Sequence, residues 1–131
     1  VERSESDALN VENLASAIVD SGLNVHRALG PGLLESTYEH CLAHELLTRR
    51  IEASRQKFLP VIYDGIKIDA GYRLDMVVEE AVVIEIKAVE TLNSLHEAQL
   101  LTYLKLSPYS IGFLLNFNVV LFKHGIRRFR R

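Results

Sequence analysis

Tyr72-Arg73-Leu74-Asp75-Met76-Val77-Val78-Glu79-Glu80-Ala81-Val82-Val83-Ile84-Glu85-Ile86-Lys87-Ala88-Val89 is the stretch whose reading decides the fold. Two β-rich runs, Tyr72–Val78 and Val82–Ala88, flank a short polar break, the pattern of a hairpin. Asp75, Glu85 and Lys87 interrupt the apolar runs, and Glu85 and Lys87 stand two apart, so on a strand they share a face. A three-residue loop, Glu79-Glu80-Ala81, sets Val78 opposite Val82 and, counting back, Asp75 opposite Glu85. Cross-strand Cβ atoms lie roughly 4.5–5.5 Å apart, close enough for two carboxylates to grip one cation. A two-residue loop would slip the register and send Asp75 to the other face.

Working outward towards the N-terminus, Ile66–Ala70 leads into the hairpin and Gly71 marks a candidate bulge. Asp64-Gly65 is a two-residue turn signal. Ser54–Tyr63 reads as a strand in which Pro60 marks a bend or an edge. Two helices precede it. One, after a polar and frayed segment over residues 1–9, is capped by Asn10 and carries Val11, Leu14, Ala15, Ile18, Val25 and Leu29 at helical spacing, with Gly22 weakening its middle. Gly30-Pro31-Gly32 ends it. The other runs from about Leu33 to Arg49, with Leu34, Tyr38, Leu42 and Leu46 as its buried stripe.

Beyond the hairpin, Ser94-Leu95-His96-Glu97 fits a capping box that opens a third helix to about Leu106, with Leu95, Ala98, Leu101 and Leu104 facing a sheet. Ile111–Phe117 is almost wholly apolar, as a strand covered on both faces would be. Val119–Lys123 reads as a further strand, and Ile126–Arg131 as an edge strand or a basic tail. The order gives an α/β domain over residues 1–131, with a mixed central sheet of four to six strands flanked by helices.

Bulk properties narrow the function classes. The chain of 131 residues suits one domain, and 48% apolar with 24% charged residues excludes disordered and fibrous classes. No apolar run approaches the roughly 18 residues of a membrane span, and no secretory leader is apparent, which suggests a cytoplasmic protein without membrane partners. Cys41 is the single cysteine and reads as a buried, inert thiol. The net charge of −2 announces no global basic field, although Lys123, Arg127, Arg128, Arg130 and Arg131 crowd the C-terminus and could meet a phosphate backbone. The sequence displays no exposed aromatic array for stacking on single strands.

Two carboxylates and an ammonium converging on a strand pair suit Mg²⁺, with Mn²⁺ as the alternative, because these ions take oxygen ligands and keep several waters. Such a cation activates water and neutralises charge on a phosphate, and Lys87 would orient that water or stabilise the developing anion. An ordinary cross-strand salt bridge is the competing reading.

Asp75 followed by Glu85-Ile86-Lys87 resembles the bipartite signature of the PD-(D/E)XK nuclease superfamily. Gly32-Leu33-Leu34-Glu35-Ser36-Thr37-Tyr38 resembles the motif that names the GxxExxY proteins within it, and the likeness runs from about Ile18 to Arg128. The resemblance implies a restriction-endonuclease-like α-β-β-β-α-β core. It further implies Asp75, Glu85 and Glu35 as metal ligands, Lys87 as catalytic cation, and Gln99 approaching from the following helix.

Among supporting residues, Glu35 would also stabilise a helix start if Gly32 is the cap, and Tyr38 reads as a packed ring with a bonded hydroxyl. His96, Arg127 and Arg128 are candidate substrate contacts. The expectation is a Mg²⁺-dependent nuclease acting on DNA, or on RNA, which a homodimer would help to cut both strands. The alternative is a non-catalytic nuclease-fold module that binds nucleic acid or a protein partner.

Overall fold

The computed structural model describes residues 5–131, with side chains described from Asn10 onward. In chain order the elements are α1 (Glu5–Leu29), α2 (Glu35–Thr48), β1 (Ala53–Phe58), β2 (Val61–Tyr63), β3 (Ile66–Ile68), β4 (Arg73–Val78), β5 (Val82–Lys87), α3 (Ser94–Leu106), β6 (Ile111–Asn116) and β7 (Ile126–Arg130). A 3₁₀ turn, Phe122–Gly125, precedes β7.

The hairpin adopts the register counted from its loop, with Val78 opposite Val82, Val77 opposite Val83 and Met76 opposite Ile84. Glu79 and Glu80 both take φ of 51°, closing the three-residue loop, and the Ala81 amide returns to Val78 O at 3.0 Å. Five strands form one sheet in the order β1-β4-β5-β6-β7. Only β5 and β6 are parallel, because α3 carries the chain across between them. The fold is the mixed, helix-flanked sheet expected.

Period-two alternation sends the sheet's apolar side chains into two layers. Met76, Val78, Ile84 and Ile86 pack with α1 and α2, while Val77, Val83 and Leu114 pack with Leu100 and Leu104 of α3. β6 is buried at every position, as its unbroken apolar run requires. Gly22 does not interrupt α1. A Cβ there would meet the Phe122 ring at 2.6 Å, so the missing side chain makes room for that ring against the helix.

Several local expectations are corrected. α1 begins at Glu5, so Asn10 lies inside the helix rather than capping it, and residues 1–4 of the segment expected to fray lie outside the described residues. α2 begins at Glu35 with Leu34 as its extended N-cap residue (φ −72°, ψ 149°), so Gly32 is not the cap and Leu34 is 74% exposed rather than buried. Glu39 takes the buried place instead. The capping box of α3 uses Asn93 and His96, one residue earlier than expected, and the helix buries Leu100 and Leu104 while Leu95 and Leu101 face outward.

The segment expected to be a strand over Ser54–Tyr63 is split at Pro60, and its second part pairs with β3 in a separate hairpin around Asp64-Gly65. Gly71 falls in a loop with φ +78°. Val119–Lys123 forms no strand. His26 at the end of α1 bonds the Val119 carbonyl at 2.6 Å, and Phe122 turns inward onto Phe117. Ile126–Arg130 pairs with β6 as the sheet edge. No described helix is long and apolar enough to cross a membrane.

Candidate active site

Alternation along β4 fails at Asp75. Leu74 belongs to the α3-side layer and Met76 to the α1/α2-side layer, although residues two apart on a regular strand share a face. Across from Asp75, Gln56 is skipped in the β1–β4 pairing and holds φ of 51°, a left-handed conformation that costs a non-glycine residue about 1–2 kcal/mol. The strands therefore part at this point. Asp75 enters the gap, and its Oδ2 accepts the Ile86 amide at 2.8 Å where a strand carbonyl would otherwise stand.

Glu85 follows the alternation of β5 and shares the face of Val83. It is only 4% exposed. Its Oε2 stands 3.4 Å from the Asp75 amide nitrogen, and its Oε1 is buried with no hydrogen-bond partner among the described residues. Burial, and then the Asp75 carboxyl beside it, push the Glu85 carboxyl up to about 10, against a smaller opposing pull from Lys87. With no cation bound, this shift favours the protonated form of Glu85 at neutral pH, between a low-dielectric wall and a second acid. Lys87 is half-buried on the same strand face, and its Nζ donates to Gln99 Oε1 on α3 at 3.4 Å. Tyr103, one turn beyond Gln99, has its phenol shifted upward by burial and then by the nearby Glu85 carboxyl.

On the other side of the gap lies a cleft of about 720 Å³ lined by Glu35, Glu39, Gln56 and Asp75 together with Leu34 and Ile86. Glu35 opens α2, and its Oε1 accepts the Ala88 amide at 3.2 Å, which ties the helix start to the end of β5. Glu39 is buried and takes Arg55 Nη2 at 2.7 Å and Gln56 Nε2 at 2.7 Å. The same Gln56 amide reaches Asp75 Oδ1 at 3.5 Å. Glu39, Arg55 and Gln56 thus form a brace behind Asp75 that sequence reasoning missed. One signal was available, since Glu35 and Glu39 are four apart on a helix and two acids so placed repel unless a cation sits with them.

Gly32, Glu35 and Tyr38 have separable tasks. Gly32 holds φ of +100°, which releases the chain into α2. The Tyr38 hydroxyl donates to Gly30 O at 2.7 Å and accepts from the Leu33 amide at 3.1 Å, while its ring stacks on Phe117 at 4.6 Å. Tyr38 is a packed ring with a bonded hydroxyl, and it fixes the loop that delivers Glu35.

Asp75, Glu85, Lys87 and Gln99 therefore come together, with Glu35 across the cleft. His96 is spent on the cap of α3, where its Nδ1 accepts the Asn93 amide at 3.1 Å. Arg127 and Arg128 lie on the edge strand β7, beyond β6 from the site. Arg128 pairs with Glu12 at 2.6 Å, and Arg127 bonds the carbonyls of His124 and Ile126. Cys41 is a half-buried free thiol packed beside the core.

Among the described residues, no three His, Cys, Asp or Glu side chains gather closely enough to enclose a metal ion. The Asp75–Glu85 pair offers oxygen ligands of the kind used by a cation that needs only one or two carboxylates and keeps its waters, and the unpartnered Glu85 Oε1 has free lone pairs. The donor set is all oxygen, which suits a hard divalent ion.

A family model described as the PD-(D/E)XK nuclease superfamily matches residues 12–129. No curated protein and no solved structure matches the chain.

Proposed function

The chain belongs to the PD-(D/E)XK nuclease superfamily, and from that premise we propose that it is a divalent-metal-dependent nuclease that hydrolyses phosphodiester bonds of nucleic acid, DNA in the first instance. The observation that carries this reading is the buried Glu85 carboxyl, unpartnered at Oε1 and set against Asp75, with Lys87 on the same strand face. Members of this superfamily usually work with divalent metals. Mg²⁺ is the ion of choice, with Mn²⁺ able to replace it. The motif from Gly32 to Tyr38 supports membership of the GxxExxY group within the superfamily.

Asp75 and Glu85 would hold the cation, and Glu35 faces it from the start of α2. When bound, such an ion neutralises phosphate charge and makes an attacking water more nucleophilic. Asp75 is held for this task by the Ile86 amide and by the Gln56–Glu39 brace. Lys87, steadied by Gln99, places its ammonium where charge develops on the phosphate oxygens, in a partly desolvated setting that strengthens the interaction.

A second reading, a non-catalytic module on the nuclease scaffold, is favoured by the lack of a three-acid cluster among the described residues. Thermal unfolding under Mg²⁺, Mn²⁺ or Ca²⁺ titration separates the two. A ligand that binds only the native state adds about 2.7 kcal/mol at a hundredfold excess over its dissociation constant. Stabilisation by these ions that disappears in Asp75→Asn supports the nuclease reading, and no stabilisation by any of them supports the module.

A further inference from the structure

On the α3 side of the same gap, the β2–β3 hairpin and α3 enclose a groove of about 510 Å³. Its walls are Val61 and Ile68 from the hairpin, Tyr72 just before β4, and Leu95, Gln99 and Tyr103 from α3. The Tyr72 and Tyr103 rings meet at 55° with centroids 6.3 Å apart, forming a corner rather than a closed stack. Tyr72 is 46% exposed and Leu95 75% exposed, so the corner is open to solvent.

The apolar surface continues past the groove. Tyr63 and Ile66 are paired on β2 and β3 and lie two residues on from Val61 and Ile68, so they extend the same hairpin face, and they are 72% and 63% exposed.

We infer that this groove seats an unstacked nucleobase next to the scissile phosphate, which makes single-stranded or locally opened nucleic acid the substrate class. The inference rests on the nuclease reading above for the identity of its ligand. Gln99 belongs to both places: it lines the groove and accepts the hydrogen bond from Lys87. A phosphate drawn to a cation on Asp75 and Glu85, with Lys87 beside it, would therefore leave its attached nucleoside close to the Tyr72–Tyr103 corner. The groove offers what a base requires, namely aromatic faces for stacking and an amide and a hydroxyl, on Gln99 and Thr102, for its polar edge.

Charge points the same way. Duplex binding draws its affinity from many neutralised phosphates, whereas this chain has a net charge of −2 and commits Arg128 to Glu12. Stacking on aromatic rings must then carry a larger share, and a base can reach those rings only when it has left its duplex. An aromatic array of this kind was not legible in the sequence, because Tyr63 comes from β2, Tyr72 from the loop before β4 and Tyr103 from α3.

The test is fluorescence anisotropy of the full chain, in Ca²⁺, with a labelled twelve-nucleotide oligothymidine and with a blunt duplex of equal length. Tighter binding of the single strand, weakened roughly tenfold by Tyr72→Ala or Tyr103→Ala and retained in Tyr103→Phe, supports the assignment. Duplex affinity should be unchanged in all three variants. Equal or tighter duplex binding, or single-strand binding indifferent to both alanine variants, overturns it and leaves the groove to another occupant, such as an apolar protein segment. Because no cleavage is required, the result stands apart from the nuclease reading. Metal-dependent duplex cutting without tyrosine dependence would sink only the groove, and tyrosine-dependent binding without cutting would sink only the hydrolysis.

Discussion

Asp75 Oδ2 accepts the Ile86 amide at 2.8 Å, just beyond Met76 and Ile84, the last residues paired in the hairpin ladder. The carboxylate therefore has a structural task beside the chemical one proposed for it, and two substitutions separate them. Asp75→Ala leaves a buried amide without an acceptor and should cost about 1–3 kcal/mol of stability by urea denaturation. Asp75→Asn keeps an acceptor oxygen and removes the charge, so it should fold with near-native stability yet lose stabilisation by Mg²⁺ or Mn²⁺. Equal destabilisation by both variants would show that the amide contact is not what Asp75 provides.

Glu85 gives the chain a distinctive pH dependence. Its carboxyl is raised from an ordinary 4.5 to about 10 by burial and by Asp75, so between those values the folded chain holds a proton that the unfolded chain has released. The favourable contribution is complete below about 4.5 and is lost as pH rises towards 10. In EDTA, stability should fall with a slope approaching ~1.4 kcal/mol per pH unit within that window. Glu85→Gln should flatten this slope. Denaturation curves at pH 5, 6, 7 and 8 that run parallel for the two proteins would contradict the assignment.

Lys87 and Gln99 differ in role and should differ in effect. Lys87→Ala removes the cation that acts on Glu85 and should lower kcat by about 10²–10³-fold without a comparable change in stability. Gln99→Ala frees Lys87 from its 3.4 Å contact and should cost about 10–100-fold, as loss of an orienting partner does. A Gln99 variant more damaged than Lys87→Ala would reverse the order of their roles.

Tyr38→Phe probes the loop that delivers Glu35. The substitution keeps the ring on Phe117 and removes the bonds to Gly30 and Leu33. Each bond contributes about 0.5–1.5 kcal/mol, so a stability loss of about 1–3 kcal/mol is expected. Phosphodiesterase activity should fall much less than in Lys87→Ala. A loss of activity as large as that variant's would place the tyrosine hydroxyl at the reaction itself.

The hairpin register was legible because loop length and period-two alternation leave few choices, and both held through Val78, Val82 and Ile84. The layering of helices on a mixed sheet followed from element order. What failed did so for local reasons. Leu34 fits a helical stripe by spacing, but the extended backbone set up by the glycine turn keeps it outside α2. Val119–Lys123 has strand composition, yet His26 and Phe117 pull its residues into a turn. Gly125 is packed so closely on the Asn116 carbonyl that a side chain there would collide with it, a tertiary contact that periodicity does not reveal.

The site was legible in part. Spacing brought Asp75, Glu85 and Lys87 together, but the break in alternation at Asp75 depends on Gln56 across the strand and has no signature in either run. Glu39 was hidden for a different reason. A charged residue at a helix position is read as solvated until Arg55 and Gln56 are seen to arrive from β1.

The most direct measurement is incubation of the purified chain with end-labelled single-stranded and duplex DNA and RNA, with Mg²⁺, with Mn²⁺ or with EDTA, alongside Asp75→Asn and Lys87→Ala. The account predicts cutting that requires a divalent ion and is lost in both variants while each remains folded. Cutting that persists in both variants, or in EDTA, would contradict it.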